Sequence, residues 1–189
     1  MLNIPNLMTL GRLALLPFII ALLYSGGSEA TWIALGLYVV AALTDFFDGY
    51  LARKLNQISA FGTFLDPISD KIFVGVLLVA LVGFGRLEGL WMIAAFVIIA
   101  RELLVSGLRE FLGPHNVQMP VTKLAKWKTA TQMLSLGFLI VGNLAIGALL
   151  AGQLLLVLAA ALTAITGWAY LMTGLRYMKD MDSKDAEKK

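Results

Sequence analysis

No cysteine occurs among the 189 residues, and histidine occurs once, at position 115. Disulfides, thiolate metal sites and cysteine nucleophiles are excluded together, so any chemistry must use oxygen and nitrogen. Charge is scarce too: 14% of residues are Asp, Glu, Lys or Arg, 59% are apolar, and the mean hydropathy is +0.83. These values exclude an ordinary soluble domain and indicate an integral membrane protein with one domain. No Walker-type or dinucleotide glycine motif follows a strand pattern, which removes those nucleotide folds and gives no reason to expect a nucleic-acid partner. The opening MLNIPNLMTLGRLALLPFIIALLY lacks both a basic stretch before its apolar run and a small-residue cleavage site after it. It therefore reads as a retained segment in which Asn6 to Arg12 lie at the membrane interface.

A membrane-spanning helix needs roughly 20 mainly apolar residues. The pattern predicts an all-α protein with six spans, at about residues 9–25, 31–54, 63–84, 88–111, 122–142 and 147–176. The run from Thr129 to Leu175 contains no charge. As one helix its length of about 70 Å would be more than twice the hydrocarbon thickness, so it must turn, and Gly142, Asn143 and Gly147 supply the turn chemistry. Six spans place both termini on one side. Fourteen of the 15 Lys and Arg residues then fall on that side and only Arg86 on the other, which predicts cytoplasmic termini. Residues 1–178 are expected to form a single transmembrane domain, and residues 179–189, which mix both signs, read as a solvated, frayed tail.

Against this apolar background four aspartates stand out. Asp45 would lie about 21 Å along the second span with Asp48 one turn further, and Asp66 and Asp70 would occupy the first turns of the third. Spacings of three and four residues put each pair on one helical face, and the antiparallel run of the two helices brings all four to a similar depth. Intramembrane carboxylates are costly, and four together require protonation or neutralisation. Hard divalent cations, Mg²⁺ or Mn²⁺, fit an all-oxygen site that also handles phosphate. Gly49, Ala52 and Gly62 remove bulk beside the acids, and Pro67 is tolerable if it sits close to the helix start. The competing structural role makes the aspartates ion-pair partners of Arg53, Lys71 or Arg101. His115, between Pro114 and Asn116, reads as a turn residue.

The segment Asp45-Phe46-Phe47-Asp48-Gly49-Tyr50-Leu51-Ala52-Arg53, followed by Gly62, Asp66 and Asp70, resembles the signature of the CDP-alcohol phosphatidyltransferase family at every fixed position. NIPNLMTLGR, ARELLVSGLRE and KLAKWKTATQM resemble the matching regions of its bacterial phosphatidylglycerophosphate synthase branch. The resemblance implies six transmembrane helices, a homodimer in the inner membrane and an active site facing the cytoplasm. It also implies two divalent ions held by Asp45, Asp48, Asp66 and Asp70, with CDP-diacylglycerol contacted by Asp48, Gly49, Ala52, Arg53 and Gly62. In the family's scheme Asp70 is the base that deprotonates the acceptor hydroxyl. The expected reaction joins the phosphatidyl group to sn-glycerol 3-phosphate and releases CMP.

Arg101, Arg109, Lys126 and Lys128 are the candidates for the acceptor's phosphate, although helix ends on the cytoplasmic side are basic in any case. Glu102 and Glu110 are expected to orient or neutralise that cluster, and Lys71 to snorkel, pair with an aspartate or reach a phosphate. Asn6, Thr9 and Arg12 are expected to shape the nucleotide end of the cavity. Two alternatives compete: another acceptor within the family, as in a cardiolipin synthase or an inositol phosphate or serine enzyme, and a divalent-cation or proton transporter. A transporter requires a polar path across the membrane, of which the first, fifth and sixth spans show little in sequence.

Overall fold

The computed structural model describes residues 3–54, 59–113 and 123–186, without the side chains of residues 4, 5, 46–54, 123, 125, 180, 182 and 184–186. Six helices account for nearly all of them: α1 (Ile4–Ser25), α2 (Ser28–Lys54), α3 (Ala60–Gly83), α4 (Trp91–Leu112), α5 (Lys123–Ile140) and α6 (Ile146–Ala186). No strand occurs among the described residues. The expected break in the uncharged run falls at a 3₁₀ turn, Val141–Asn143, between α5 and α6. His115 and its turn lie outside the described residues.

Among the described residues, three stretches are long and apolar enough to cross a membrane: Asn6–Ser25, Trp91–Leu112 and Ile146–Lys179. Helices α2, α3 and α5 carry the aspartates or the lysines of the candidate site toward one end. Helices α1 and α2 pair closely, α6 packs along both α5 and α4, and α1 lies across α3. One continuous core joins them, with Ile19, Phe73, Leu77, Ile98, Leu136 and Leu156 fully enclosed. Outward-facing Phe18, Val79, Phe96 and Leu154 remain exposed, so the bundle is apolar inside and out. Burial alone then discriminates weakly between packings, and hydrogen bonds between helices add definition. Tyr38 of α2 donates to the Met133 carbonyl of α5 at 2.8 Å, and Ser135 of α5 to the Gly152 carbonyl of α6 at 2.8 Å. At the opposite end from the aspartates, Asn143 Nδ2 donates to Thr31 Oγ1 at 3.0 Å.

Three expectations change. Helix α3 begins about one turn earlier than its apolar pattern suggests, because Ser59 caps it by accepting the Gly62 N–H at 3.0 Å. Pro67 consequently lies inside the helix, where its missing N–H leaves the Thr63 carbonyl without the usual i+4 donor. Helix α6 runs on through the charged segment expected to fray. Its 41 residues make it about 60 Å long, which exceeds the hydrocarbon thickness. The spacing of Asp180 and Lys184, acid before base at i and i+4, suits such an extension.

Leu77 is fully buried in α3. Leu77→Ala should lower stability in detergent by about 2–4 kcal/mol through the cavity it leaves, measured as the shift in thermal unfolding midpoint.

Candidate active site

Helix α1 has one buried face, and its register explains the site. Asn6, Thr9, Arg12, Leu16, Ile19 and Leu23 are all 5% exposed or less and follow helical spacing. The inner half of that face is apolar and enters the core, while the outer half is polar and lies against α2 and α3. Asn6 and Arg12 are therefore enclosed by protein.

Each polar residue on this face meets a different part of the acidic cluster. Asn6 Nδ2 donates to Ser59 Oγ, the α3 cap, at 2.9 Å. Thr9 Oγ1 donates to Asp66 Oδ1 at 3.1 Å. Arg12 reaches furthest: Nη1 donates to Asp45 Oδ1, and Nη2 to Ser69 Oγ and, at 2.7 Å, to Asp70 Oδ1. Its guanidinium also lies 6.0 Å from the centre of the Phe73 ring. A Cβ at Gly62 would come within 2.5 Å of Asn6 Oδ1, so any larger residue there would have to displace the Asn6 amide.

The carboxylates of Asp45 on α2 and Asp70 on α3 thus converge on one guanidinium, as the matched-depth reading requires. Among the described residues the cation that pairs them is Arg12, not Lys71 or Arg101, while the Arg53 side chain of the structural alternative lies outside the described residues. Asp48, Gly49, Ala52 and Arg53 lie on the last turns of α2, but their side chains are outside those described. Among the described residues no three His, Cys, Asp or Glu side chains form a metal-sized cluster. The chemistry nevertheless fits a hard cation. Two carboxylates from different helices meet where positive charge is demanded, and Arg12 bonds one oxygen, Oδ1, of each.

Two cavities adjoin this cluster. The first, of about 130 Å³, has Asp45 and Asp70 on one side and Glu102, Lys128 and Gln132 on the other. The second, of about 260 Å³, lies between α3 and α4 and is lined by Lys71, Arg101, Arg109, Glu102 and Glu110. Lys71 and Glu102 border both, so an acidic chamber opens beside one richer in cations. Glu102 receives hydrogen bonds from Lys128 and, at 3.3 Å, from Arg101, which makes it the organiser expected of it. Glu110 lines the second cavity. Lys71 donates to Ser106 Oγ rather than to an aspartate.

Of the four basic candidates, Arg101 and Arg109 line the second cavity and Lys128 the first. Lys126 is exposed and borders neither. Gln132 was not singled out from the sequence, although it is 4% exposed and its Oε1 has no hydrogen-bond partner among the described residues. Its spacing from Lys128, one helical turn, is the signal that would have marked it. Helices α5 and α6 also hold more polar groups than expected, including buried Ser135, Gln153, Thr163 and Thr166. Asp45, Asp66, Asp70, Glu102 and Glu110 nonetheless lie toward one end of the bundle, while Glu29 and Glu88 lie at the other.

Residues 2–173 match the pattern of the CDP-alcohol phosphatidyltransferase family. The chain is 44% identical over 171 residues to a CDP-diacylglycerol--glycerol-3-phosphate 3-phosphatidyltransferase of Rickettsia typhi, covering 89% of this chain and 94% of that protein. It is 38% identical over 216 aligned positions to the protein of the same name from Cereibacter sphaeroides, covering 94% and 98%. A cardiolipin synthase (CMP-forming) of Oryza sativa is 38% identical over 152 residues, covering 74% of this chain and 46% of that protein.

Arg12→Gln should destabilise the protein by about 2–4 kcal/mol, read by thermal unfolding without divalent ions. The cost falls below that of a fully enclosed pair because Asp70 is half exposed. Arg12→Lys should recover only part of the loss, since one ammonium cannot reproduce the planar fork that spans Asp45 and Asp70.

Proposed function

Because the chain belongs to the CDP-alcohol phosphatidyltransferase family, we propose that it transfers the phosphatidyl group of CDP-diacylglycerol to sn-glycerol 3-phosphate, giving phosphatidylglycerophosphate and CMP. The observation that carries this reading is the junction at Lys71 and Glu102 of an acidic chamber with a basic one. A phosphorylated acceptor needs cations for its phosphate and a carboxylate near its hydroxyl, and the two chambers offer these side by side.

Asp45, Asp48, Asp66 and Asp70 would hold two Mg²⁺ or Mn²⁺ ions. When bound, such ions neutralise the donor's diphosphate and stabilise charge at the attacked phosphorus. Asp48, Gly49, Ala52, Arg53 and Gly62 would line the path of the nucleotide diphosphate. Arg101 and Arg109 bind the acceptor's phosphate through charge-assisted hydrogen bonds, Lys128 adds its charge from the wall of the first chamber, and exposed Lys126 contributes field rather than contact. With the phosphate seated there, the acceptor's free hydroxyl is presented toward the first chamber. Asp70, half exposed on that chamber's wall, accepts its proton as the new P–O bond forms and CMP departs with the electrons of the broken one. Lys71 lies between the chambers and neutralises charge as the acceptor's anionic phosphate comes up beside the carboxylates.

The placement of fourteen of 15 cations supports six crossing helices, cytoplasmic termini and an active site opening to the cytoplasm from the inner membrane. The family resemblance supports a homodimer. The substrate explains the depth of the site, since its tails belong in lipid and its nucleotide in water.

Purified protein supplied with CDP-diacylglycerol and Mg²⁺ should release CMP on addition of sn-glycerol 3-phosphate. Release only with serine, inositol phosphate or phosphatidylglycerol would overturn the choice of acceptor, and no acceptor-dependent release would overturn the transferase reading. Asp70→Asn should lower kcat by about 10²- to 10⁴-fold across a Mg²⁺ titration. Activity near that of the unaltered protein would remove Asp70 from the role of base.

A further inference from the structure

Arg101 is held mainly from a helix outside the acidic signature. Its Nη2 donates to Thr166 Oγ1 of α6 at 3.2 Å. That hydroxyl is itself oriented, because it donates to its own helix, at the Leu162 and Thr163 carbonyls, and so keeps lone-pair density toward the guanidinium. The next residue, Gly167, leaves room for the arginine stem: a Cβ there would lie 2.6 Å from Arg101 Cγ and 3.1 Å from Nε. One turn on, the ring of Tyr170 lies 5.7 Å from the guanidinium carbon, a cation–π distance, and is itself buried. Glu102 accepts from Nη1 at 3.3 Å. With stem, plane and two N–H groups fixed, the guanidinium borders the basic cavity with Nε unpartnered among the described residues.

A surface arginine needs none of this. An exposed guanidinium would spread over many rotamers and lose that freedom on binding an anion, whereas a pre-set one loses little. We infer that Thr166, Gly167 and Tyr170 of α6 are positioning residues that aim Arg101 at a phosphomonoester. Acceptor selectivity in this protein then depends on the sixth helix as well as on the basic residues of the fourth and fifth. The inference rests on the reading above that Arg101 binds the acceptor's phosphate.

The test uses full-length protein in detergent and CDP-diacylglycerol mixed micelles, with KM measured separately for both substrates. Gly167→Ala and Tyr170→Leu should each raise KM for sn-glycerol 3-phosphate by about tenfold and leave KM for CDP-diacylglycerol and kcat unchanged. Tyr170→Phe, which keeps the aromatic face, should retain more of the acceptor affinity than Tyr170→Leu. Thr166→Val should show the acceptor defect and Thr166→Ser should not, a pair that decides the matter if Gly167→Ala fails to fold. Equal impairment by Tyr170→Phe and Tyr170→Leu, or parallel rises in both KM values, would overturn the inference. Arg101→Ala separates the two layers. If it leaves the acceptor KM unchanged, the acceptor reading falls and this inference with it. If it raises that KM while Gly167→Ala and Tyr170→Leu do not, the role of α6 alone is rejected.

Discussion

The meeting of Arg12 with Asp45 and Asp70 is the constraint around which the active end of the bundle is arranged. A guanidinium enclosed by protein is costly without partners, and two carboxylates in an apolar bundle are costly without a cation. Each requirement meets the other, and in doing so ties α1, α2 and α3 at one depth. The same end receives Asn6 against the α3 cap and Thr9 against Asp66. Polar contacts therefore set the register of three helices whose apolar surfaces discriminate poorly between sliding positions.

A second arrangement, around Glu102, does for cations what Arg12 does for anions. One carboxylate accepts from both Lys128 and Arg101, and α6 braces Arg101 from behind. The bundle thus carries two complementary polar clusters joined at Lys71 and Glu102. The first cavity is lined by members of both, Asp45 and Asp70 on the one hand and Glu102 and Lys128 on the other, so opposite charges alternate around it.

Reading the chain itself gets far with α2 and α3, because four aspartates in apolar surroundings are expensive enough to admit few explanations. The spacing of 45, 48, 66 and 70 needs no tertiary information to be meaningful. Arg12 and Gln132 are different. An arginine near the start of an apolar helix is ordinary for a cytoplasmic helix end, so Arg12 carries little signal until α1 is seen to put it on the same face as Leu16 and Ile19. Gln132 sits in a polar stretch, KTATQM, where nothing local sets it apart. Lys126 and Lys128 look alike in sequence and separate only when one turn of α5 leaves the first exposed and buries the second.

Composition and spacing alone determined that this is an apolar helical membrane protein, that its uncharged stretch must turn, and that Asp45 and Asp70 belong to one charged site. These follow from costs that hold in any fold: the finite thickness of a bilayer, the price of an isolated carboxylate in it, and the fixed pitch of a helix. Tertiary structure alone decided which cation faces those aspartates, which lysine of α5 points inward, and that Thr166, Gly167 and Tyr170 of an otherwise featureless sixth helix surround Arg101. Such pairings depend on the rotation of one helix against another. That rotation is set by packing between distant segments, which no local pattern of residues encodes.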